Sequence, residues 1–519
     1  MKKIISNIIT ILILIVAVVI IVASMYYKNN YADQTFDILL YHLSRGTETG
    51  NLQVIWTGVK ACIIPVVISF LVVFIPLTSF GNNKSILDIK FKGENKSFQL
   101  YPNKRLIKHK VIYGVIILCV CIVIALKNIG LYTYIKRQSE RTEIFDEEYV
   151  ASENVKITFP EEKRNLIYIF LESMETSMIS KEDGGGWEYT VIPELKKLAE
   201  KNINFSNTEK LGGAYQLTGT GWTVAGMTAQ TAGIPLKMDI SSNDYSGYES
   251  FLPGVHSLGD ILKKEGYNLE LMVGSDATFG GRKDYFKTHG DYEIFDVNTA
   301  IEEGKMKKED YIWWGYDDDD LFKWAKEEIL ELAKKEEPFN FMMLTVDTHW
   351  PDGYLSENVG NKFETQYENV FAYSSKSVSK FIEWIKKQDF YDNTTIVIVG
   401  DHLGMQPDFY EKHLDGNYVR TTFNAFINSA IPESNSKKRE FSTLDMFPTV
   451  LASMGVKIEG DRLGLGTNLF SGKETLIEKY GFEYVNNELA KKSNYYNQYL
   501  LKDDYLQMLE NIEESNTIK

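Results

Sequence analysis

Thr394 to His402, TTIVIVGDH, is an apolar, mostly β-branched run that ends in an acid and an imidazole. Such a run is typical of a buried strand. The stretches NLIYIFLES (165–173), NLELMVGS (268–275) and FNFMMLTVDTH (339–349) follow the same pattern, and INFSNTEKL (203–211) is predicted to contain a short strand. Segments of helical period alternate with these strands: IPELKKLAEKN, SLGDILKKEGY, DLFKWAKEEILELAKK and VSKFIEWIKKQDF. The alternation predicts an α/β fold with a mostly parallel central sheet and helices on both faces.

Polar residues follow three of these strands at equivalent positions. They are Glu172, then Asp347 with His349, and finally Asp401 with His402. Ligand sites in such sheets form just beyond the carboxyl ends of the strands. Carboxylate and imidazole ligands of this kind suit Mn²⁺, Zn²⁺ or Mg²⁺. Taken one at a time, each residue is better explained as a surface or structural residue, but the coincidence of all three at equivalent positions predicts a divalent metal site.

A glycine-rich stretch, GGAYQLTGTGWTVAGM at 212–227, runs into small helix-forming residues. This pattern predicts a helix that begins at or near Thr223. The free N–H groups and the dipole at a helix start favour an anion, such as a phosphate or an alkoxide. An ordinary threonine N-cap is the alternative explanation of the same residues.

The N-terminal part of the chain is apolar and basic, whereas the rest is acidic. The 519 residues carry a formal net charge of −15, which argues against a nucleic-acid partner. Residues 1–150 hold 17 of the 56 Lys and Arg and 10 of the 71 Asp and Glu, a net +7 that leaves −22 for the remainder. Stretches at about 4–25, 54–80 and 111–131 are long and apolar enough to cross a bilayer. A cleaved signal peptide is the alternative for the first, and a buried core helix for the third.

The distribution of basic residues predicts how these spans are oriented. Lys2 and Lys3 precede the first span and eight Lys or Arg lie in the 81–110 loop, whereas few lie between the first two spans. The positive-inside rule then places the N-terminus and this loop in the cytoplasm. We therefore expect a multi-pass membrane protein, bound to the lipid bilayer, whose chain lies outside the cell after about residue 132.

The same patterns predict four regions: a membrane domain at 1–131, a juxtamembrane linker at 132–164, a large α/β domain at 165–472 and a C-terminal helical tail at 473–519. The cysteines, Cys62, Cys119 and Cys121, all fall in the predicted spans. The outer region therefore has no cysteine nucleophile and no thiolate metal ligand.

Several motifs together resemble one family. LESMETS, GTGWTVAGMTAQTAGIPL, LGDILKKEGY, TVDTHWPDGY, VGDHLGM and LGLGTNLFSG are similar to segments of the phosphoglycerol transferases and lipoteichoic acid synthases. That group belongs to the alkaline phosphatase and sulfatase superfamily. The motifs run in the family's order from about Asn165 to Gly472. TVDTHWPDGY and GTGWT resemble the glucan phosphoglycerol transferases more closely, because the polymerising synthases have Asn where Asp347 stands.

The resemblance implies roles for individual residues. Glu172, Thr223, Asp401 and His402 match a site for one divalent metal, most often Mn²⁺. Thr223 also matches the nucleophile. Arg282, in GGRKDYF, matches an arginine that contacts the phosphoryl group, and His349 matches a substrate-binding histidine.

Three further features have two interpretations each. Asp347 is a substrate-binding candidate that would also suit a second ion together with His349. Trp222 either lines the substrate pocket or anchors the helix that follows it. The acidic run at 317–320, after the residues WWGY, either binds a second cation or caps a helix.

The implied function is transfer of glycerol phosphate from phosphatidylglycerol to a cell-envelope glycan or glycolipid, through a metal-activated threonine and a covalent glycerophosphoryl-threonine. A lipoteichoic acid synthase-type polymerase and a phosphoethanolamine transferase are the alternatives. Sulfatase-type hydrolysis requires a Cys or Ser in a C/S-x-P-x-R context, which the sequence lacks. A non-catalytic envelope scaffold would be expected only without Thr223 or the pair Asp401 and His402. The acceptor, the number of units transferred and the metal stay open.

Overall fold

The computed structural model describes residues 2–30, 36, 52–77, 85–91, 94–101, 107–237, 251–432 and 435–501. It divides into two compact units, one formed by residues 1–36 and 51–135 and the other by residues 37–50 and 136–519. The last residues of the second expected span, 78–80, and the tail beyond residue 501 lie outside the described residues.

The N-terminal unit is built on three long apolar helices. They are α1 (Lys2–Asn30), α2 (Leu52–Phe74) and α3 (Lys110–Asn128), with an antiparallel hairpin of β1 (Ser85–Phe91) and β2 (Glu94–Tyr101) between the last two. Among the described residues, three helical segments are long and apolar enough to cross a membrane: Ile4–Asn29, Gly58–Leu77 and Lys110–Asn128. The chain leaves α3 through Gly130, whose φ of +75° is left-handed, so the helix ends earlier than expected.

Helices α1 and α3 pack closely through a glycine. A Cβ atom on Gly114 would lie 3.3 Å from Cγ2 of Ile13. The amide of Asn128 also donates a hydrogen bond to the hydroxyl of Ser24, at 3.1 Å. Small residues and polar contacts of this kind hold apolar helices together where hydrophobic driving force is weak.

The C-terminal unit contains a six-stranded sheet in the order β6-β5-β7-β4-β8-β9. All of its neighbouring strands run parallel except β8 and β9. The expected α/β fold with a mostly parallel central sheet is confirmed. The strands of this unit are β3 (Ile157–Thr158), β4 (Asn165–Leu171), β5 (Asn268–Val273), β6 (Glu293–Phe295), β7 (Phe339–Leu344), β8 (Thr394–Gly400), β9 (Asn424–Ile427), β10 (Lys457–Ile458), β11 (Arg462–Leu463) and β12 (Gly466–Thr467).

Helices cover both faces of this sheet. Several begin at a capping box, in which a Ser or Thr hydroxyl and an acid three residues later satisfy the first N–H groups; Thr365 and Glu368 are one pair. The remaining helices are α4 (Leu131–Ser139), α5 (Ile144–Glu148), α6 (Pro193–Lys201), α7 (Thr223–Ala232), α8 (Leu258–Lys264), α9 (Arg282–Thr288), α10 (Val297–Glu302), α11 (Asp318–Leu332), α12 (Gln366–Ile385), α13 (Pro407–Glu411), α14 (Met446–Ser453), α15 (Leu476–Tyr480) and α16 (Phe482–Ala490).

The sheet separates two hydrophobic cores. Side chains alternate between the faces of a strand, so Tyr168 and Phe170 of β4 enter one core, whereas Ile167 and Ile169 enter the other. All four are fully buried. Burial on both faces explains why the sequences of the parallel strands are continuous apolar runs.

The expected strand in INFSNTEKL is wrong. Ile203 makes only an isolated bridge with Phe426. Beyond it, the Asn424 side chain takes the place of a backbone ladder, because its amide accepts from the N–H of Phe205 at 2.9 Å and donates to the Phe205 carbonyl at 2.8 Å.

Residues 132–164, interpreted from the sequence as a linker, contain ordered elements in the structure. Strand β3 pairs with β10, and the carboxylate of Glu148, at the end of α5, is buried. Arg462 donates to that carboxylate at 2.7 Å, and Lys479 and Tyr480 each donate at 2.6 Å. Burial alone would raise the pKa of Glu148, but these hydrogen bonds outweigh it and lower the pKa to about 2.

We expect Glu148→Gln to lower the free energy of unfolding by about 2 kcal/mol at pH 7, because it leaves partly buried cations facing a neutral amide. The native pKa lies below the ordinary value of 4.5, so this contribution is full above pH 4.5 and is lost as the pH falls towards 2. Urea unfolding of the detergent-solubilised chain, followed by tryptophan fluorescence, measures the difference. The exposed neighbour Glu147, changed to Gln, is the control, and equal effects of both changes would contradict the prediction.

Candidate metal centre and active site

Two neighbouring strands deliver the acidic residues of the site. In the register of β4 and β8, Leu171 lies opposite Gly400. The next residues, Glu172 and Asp401, therefore emerge side by side at the carboxyl edge of the sheet, as expected for a parallel sheet. Asp401 is followed at once by His402.

Glu172, Asp401 and His402 form a tight, buried cluster. Each offers one ligand atom, and these atoms all lie within 4.8 Å of one another. Nε2 of His402 is 3.4 Å from an oxygen of Glu172 and 3.4 Å from Oδ2 of Asp401. All three side chains are at most 3% exposed.

Hydrogen bonds from surrounding groups orient these side chains and leave two of their atoms without a partner. The backbone N–H groups of Ser173 and His402 both donate to Oδ1 of Asp401, each at 2.8 Å. Nδ1 of His402 donates to the Leu403 carbonyl at 2.8 Å, which fixes the tautomer and leaves Nε2 with a lone pair. Oδ2 of Asp401 and Nε2 of His402 have no hydrogen-bond partner. Buried orphan atoms on oxygen and imidazole groups fit a divalent cation, for which such outer contacts are typical.

The ionisation of the cluster leads to the same conclusion. Burial disfavours the Glu172 carboxylate, but the imidazoles of His402 and His349 outweigh this and lower its pKa. Burial and the charge of Glu172 raise the pKa of Asp401 to about 8. Burial opposes protonation of His402, but Asp401 and Glu172 raise its pKa to about 9. Protons thus supply the positive charge that a divalent cation would otherwise bring.

Thr223 lies beside this cluster. It is the first residue of α7, as the sequence predicts, and its hydroxyl donates to Oε2 of Glu172 at 3.3 Å. Trp222 occupies the N-cap position with extended backbone and provides no side-chain cap. The hydroxyl therefore lies at a helix start whose N–H groups favour negative charge.

Helix α7 is held against the end of β8 by two residues that sequence reasoning missed. A Cβ atom on Gly226 would lie 2.1 Å from the Asp401 carbonyl oxygen, so only glycine fits. The amide of Gln230 donates to the carbonyls of Gly400 and Asp401, at 3.1 and 3.3 Å. A glycine inside a helix was the available signal for this close approach.

His349 lies in the loop that follows β7, and Arg282 is the first residue of α9, which follows β5. Nδ1 of His349 donates to the Trp350 carbonyl at 2.6 Å, which leaves Nε2 as the nitrogen that can accept a proton. Burial lowers the pKa of His349, against the opposing charge of Glu172. Arg282 is buried and donates to the Ser275 hydroxyl at 2.9 Å and the Asp276 carbonyl at 2.8 Å. Its charge also lowers the pKa of His349, so the two side chains interact electrostatically.

The other predicted residues are placed as follows. Trp222 is 3% exposed and belongs to a hydrophobic core, which favours its role as an anchor of α7. Asp347 is also 3% exposed and lies outside the metal cluster. Asp317 is the N-cap of α11, whose first turn holds the rest of the acidic run, so the capping interpretation is confirmed. Substrate contacts of Asp347 and Trp222 stay predictions.

A family model described as Sulfatase matches residues 164–456. This chain belongs to the sulfatase family. Phosphoglycerol transferase I of Escherichia coli strain SMS-3-5 is 31% identical over 326 residues, which cover 61% of this chain and 40% of that protein. This sulfatase-family chain thus matches less than half of the length of that relative. The predicted resemblance to the phosphoglycerol transferases is confirmed.

Two solved structures are also similar to this sulfatase-family chain. The lipoteichoic acid synthase LtaP from Listeria monocytogenes is 18% identical with a TM-score of 0.48, over 63% of this chain and 80% of that one. The lipooligosaccharide phosphoethanolamine transferase EptA from Neisseria meningitidis is 14% identical with a TM-score of 0.46, over 85% and 83%.

Loss of one ligand residue should weaken the affinity of the cluster for a divalent metal. We expect Asp401→Asn to weaken Mn²⁺ binding by about a hundredfold or more, because the cluster loses a charged oxygen ligand. Titration calorimetry of the detergent-solubilised chain with Mn²⁺, Zn²⁺ and Mg²⁺ in turn measures the affinities. Asp352→Asn, at an exposed position of the loop after β7, is the matched control. Unchanged affinity in the Asp401 variant would contradict the cluster as the metal site.

Gly226→Ala tests the position of α7. The added methyl group must displace the helix from Asp401. We therefore expect the catalytic rate to fall by about tenfold or more and the free energy of unfolding to fall by about 1–3 kcal/mol. Gly416→Ala, where a Cβ meets open space, serves as the control. Wild-type activity in the Gly226 variant would show that Thr223 tolerates the displacement.

Proposed function

We propose that this chain is a membrane-anchored phosphoglycerol transferase. It moves glycerol phosphate from phosphatidylglycerol to a cell-envelope glycan or glycolipid, through a covalent intermediate on Thr223. The observation that carries the proposal is the Thr223 hydroxyl at the start of α7, 3.3 Å from Glu172 in a buried acid and imidazole cluster. The name of the 31% identical relative supports the same reaction.

Glu172, Asp401, His402 and Thr223 are the residues that would hold a divalent cation, of which Mn²⁺ is the one implied by the family resemblance. When bound, it supplies positive charge that lowers the pKa of a coordinated hydroxyl and neutralises phosphoryl oxygens.

In the first half-reaction, Oγ1 of Thr223 attacks the phosphorus of phosphatidylglycerol. A Thr223–phosphorus bond forms and the bond from phosphorus to the diacylglycerol oxygen breaks. The threonine gives up one proton and diacylglycerol gains one, so no net proton is needed. Glu172 accepts the hydrogen bond of the threonine hydroxyl and so orients it for attack.

The second half-reaction reverses the first with a new partner. An acceptor hydroxyl attacks the same phosphorus, and the bond to Thr223 breaks. Nε2 of His349 takes the proton of the acceptor hydroxyl, because Nδ1 is committed to the Trp350 carbonyl. The proton then returns to Thr223. Arg282, held by Ser275 and Asp276, stabilises the charge that develops on the phosphoryl oxygens.

The apolar helices give this chemistry a location. Three helical segments of the described residues are long and apolar enough to cross a membrane. With the catalytic unit outside the cell, as the basic residues predict, the site stays near a lipid donor. Tethering raises the effective concentration of that donor, and the diacylglycerol product stays in the bilayer.

Thr223→Ala is the decisive test. With fluorescent phosphatidylglycerol and the full-length chain in detergent, we expect release of diacylglycerol to fall by about a thousandfold or more. Thr223→Ser should retain part of the rate, because it keeps the hydroxyl.

Thr218→Ala, on the same glycine-rich loop but hydrogen-bonded to Asn486, is the control. Full activity of the Thr223→Ala variant would show that Thr223 is not the nucleophile. Release from phosphatidylethanolamine instead of phosphatidylglycerol would make the chain a phosphoethanolamine transferase.

A further inference from the structure

A tight turn at Ile312–Gly315 lies at the same edge of the sheet as the metal centre. The N–H of Ile312 donates to the Gly315 carbonyl at 2.9 Å, and the reverse bond is 2.7 Å long. The turn is fixed beyond the end of β5, because the N–H of Tyr316 donates to the Gly274 carbonyl at 2.9 Å. A Cβ atom on Gly315 would lie 2.0 Å from that carbonyl oxygen, so the approach requires glycine. The two residues at the tip are Trp313 and Trp314.

Trp313 is held in an unusual conformation. Its φ of +46° is left-handed, which is rare for a bulky aromatic residue and costs conformational energy. The side chain is nevertheless only half-buried. Strain of this kind persists where the surroundings impose it, and it is concentrated at functional sites. The turn therefore holds the half-buried Trp313 ring at the surface in a strained backbone conformation.

The rings around this turn form an aromatic surface, defined here as Trp313, Trp314 and Tyr354. Trp313 and Tyr354 are nearly parallel, with centroids 6.0 Å apart and an angle of 23°. The ring of Trp314 lies 4.8 Å from that of His349, and Trp313 lies 6.0 Å from it edge-on. His349 in turn lowers the pKa of Glu172 in the metal cluster. The aromatic surface thus begins at the catalytic centre and extends to solvent at Tyr354 and the exposed Leu355.

The charge around the surface selects the kind of ligand. Asp317 is the N-cap of α11, and its charge adds to burial in raising the pKa of Tyr354. The exposed Asp352 lies two residues before Tyr354, on the loop after β7. Like charges would repel a phosphate-rich acceptor such as polyglycerol phosphate. A neutral sugar ring carries no charge, and its apolar C–H faces pack on aromatic rings.

We propose that the aromatic surface forms the acceptor subsite and binds a neutral sugar ring of the glycan that receives glycerol phosphate. The proposal rests on the proposed function for the identity of the reaction, but not for the binding itself. Trp313 and Tyr354 supply the stacking face. His349 stands between the subsite and Thr223, where the attacking hydroxyl must arrive.

The binding test uses the full-length chain in detergent without donor lipid. Cellohexaose, laminarihexaose and maltohexaose are titrated in turn by calorimetry. We expect at least one to bind, and Trp313→Gly to weaken that binding by about tenfold or more. Glycine adopts a φ of +46° without strain, so this variant removes the ring and keeps the turn. Trp313→Phe should recover much of the affinity.

Trp384→Ala is the matched control, because this half-buried tryptophan lies near the C-terminal end of α12. The N-terminal end of that helix contacts the loop after β7, through the Tyr367 hydroxyl and the Thr348 carbonyl. Failure of all three sugars to bind the wild type overturns the proposal. Equal losses in the Trp313 and Trp384 variants also overturn it.

A second measurement follows the fate of the glycerophosphoryl group. With phosphatidylglycerol as donor and the bound sugar as acceptor, the ratio of sugar product to free glycerol phosphate should fall about tenfold in Trp313→Gly. A higher KM for the lipid with an unchanged ratio would place acyl chains on the surface and overturn the proposal. Absence of diacylglycerol release in the wild type would instead defeat the proposed function, while the calorimetry still decides the subsite.

Discussion

The site depends on the burial of three ionisable side chains within one another's reach. Glu172, Asp401 and His402 are nearly inaccessible to water, and their ligand atoms lie within 4.8 Å of one another. Two carboxyl groups in such surroundings cannot both be charged without a compensating positive charge. The arrangement is therefore suited to hold a divalent ion beside the hydroxyl of Thr223.

The fold fixes this arrangement from several directions. The register of β4 and β8 sets Glu172 beside Asp401, backbone N–H groups hold one oxygen of Asp401, and Gly226 brings α7 into contact with the same residue. None of these contacts involves a long flexible side chain. The position of Thr223 is thus set largely by the backbone, which is the most rigid way to position a functional side chain.

Much of the fold and site could be predicted from the sequence because the parallel strands are buried on both faces. Their apolar runs mark the strand ends, and the ends carry Glu172, Asp401 and His402. What could not be predicted depends on contacts between distant residues. The Asn424 amide that replaces a ladder beside Phe205 has no local signal, nor has the left-handed backbone of Trp313. The sequence predicts a linker at 132–164, yet Glu148 in this stretch is buried, because partners more than 300 positions away neutralise it.

The central strand β4 has a further consequence for how the chain is made. Its neighbours in the sheet, β7 and β8, are encoded far downstream, and the bond from Ser173 to Asp401 joins residues 228 positions apart. A chain that emerges from its N-terminus must therefore carry an unpaired, largely apolar strand until most of the polypeptide has been made. Sheets of this topology assemble slowly, and the unpaired edges of their strands stay exposed while the chain is being made. Truncated chains that lack β7 and β8 should accordingly be the products that aggregate.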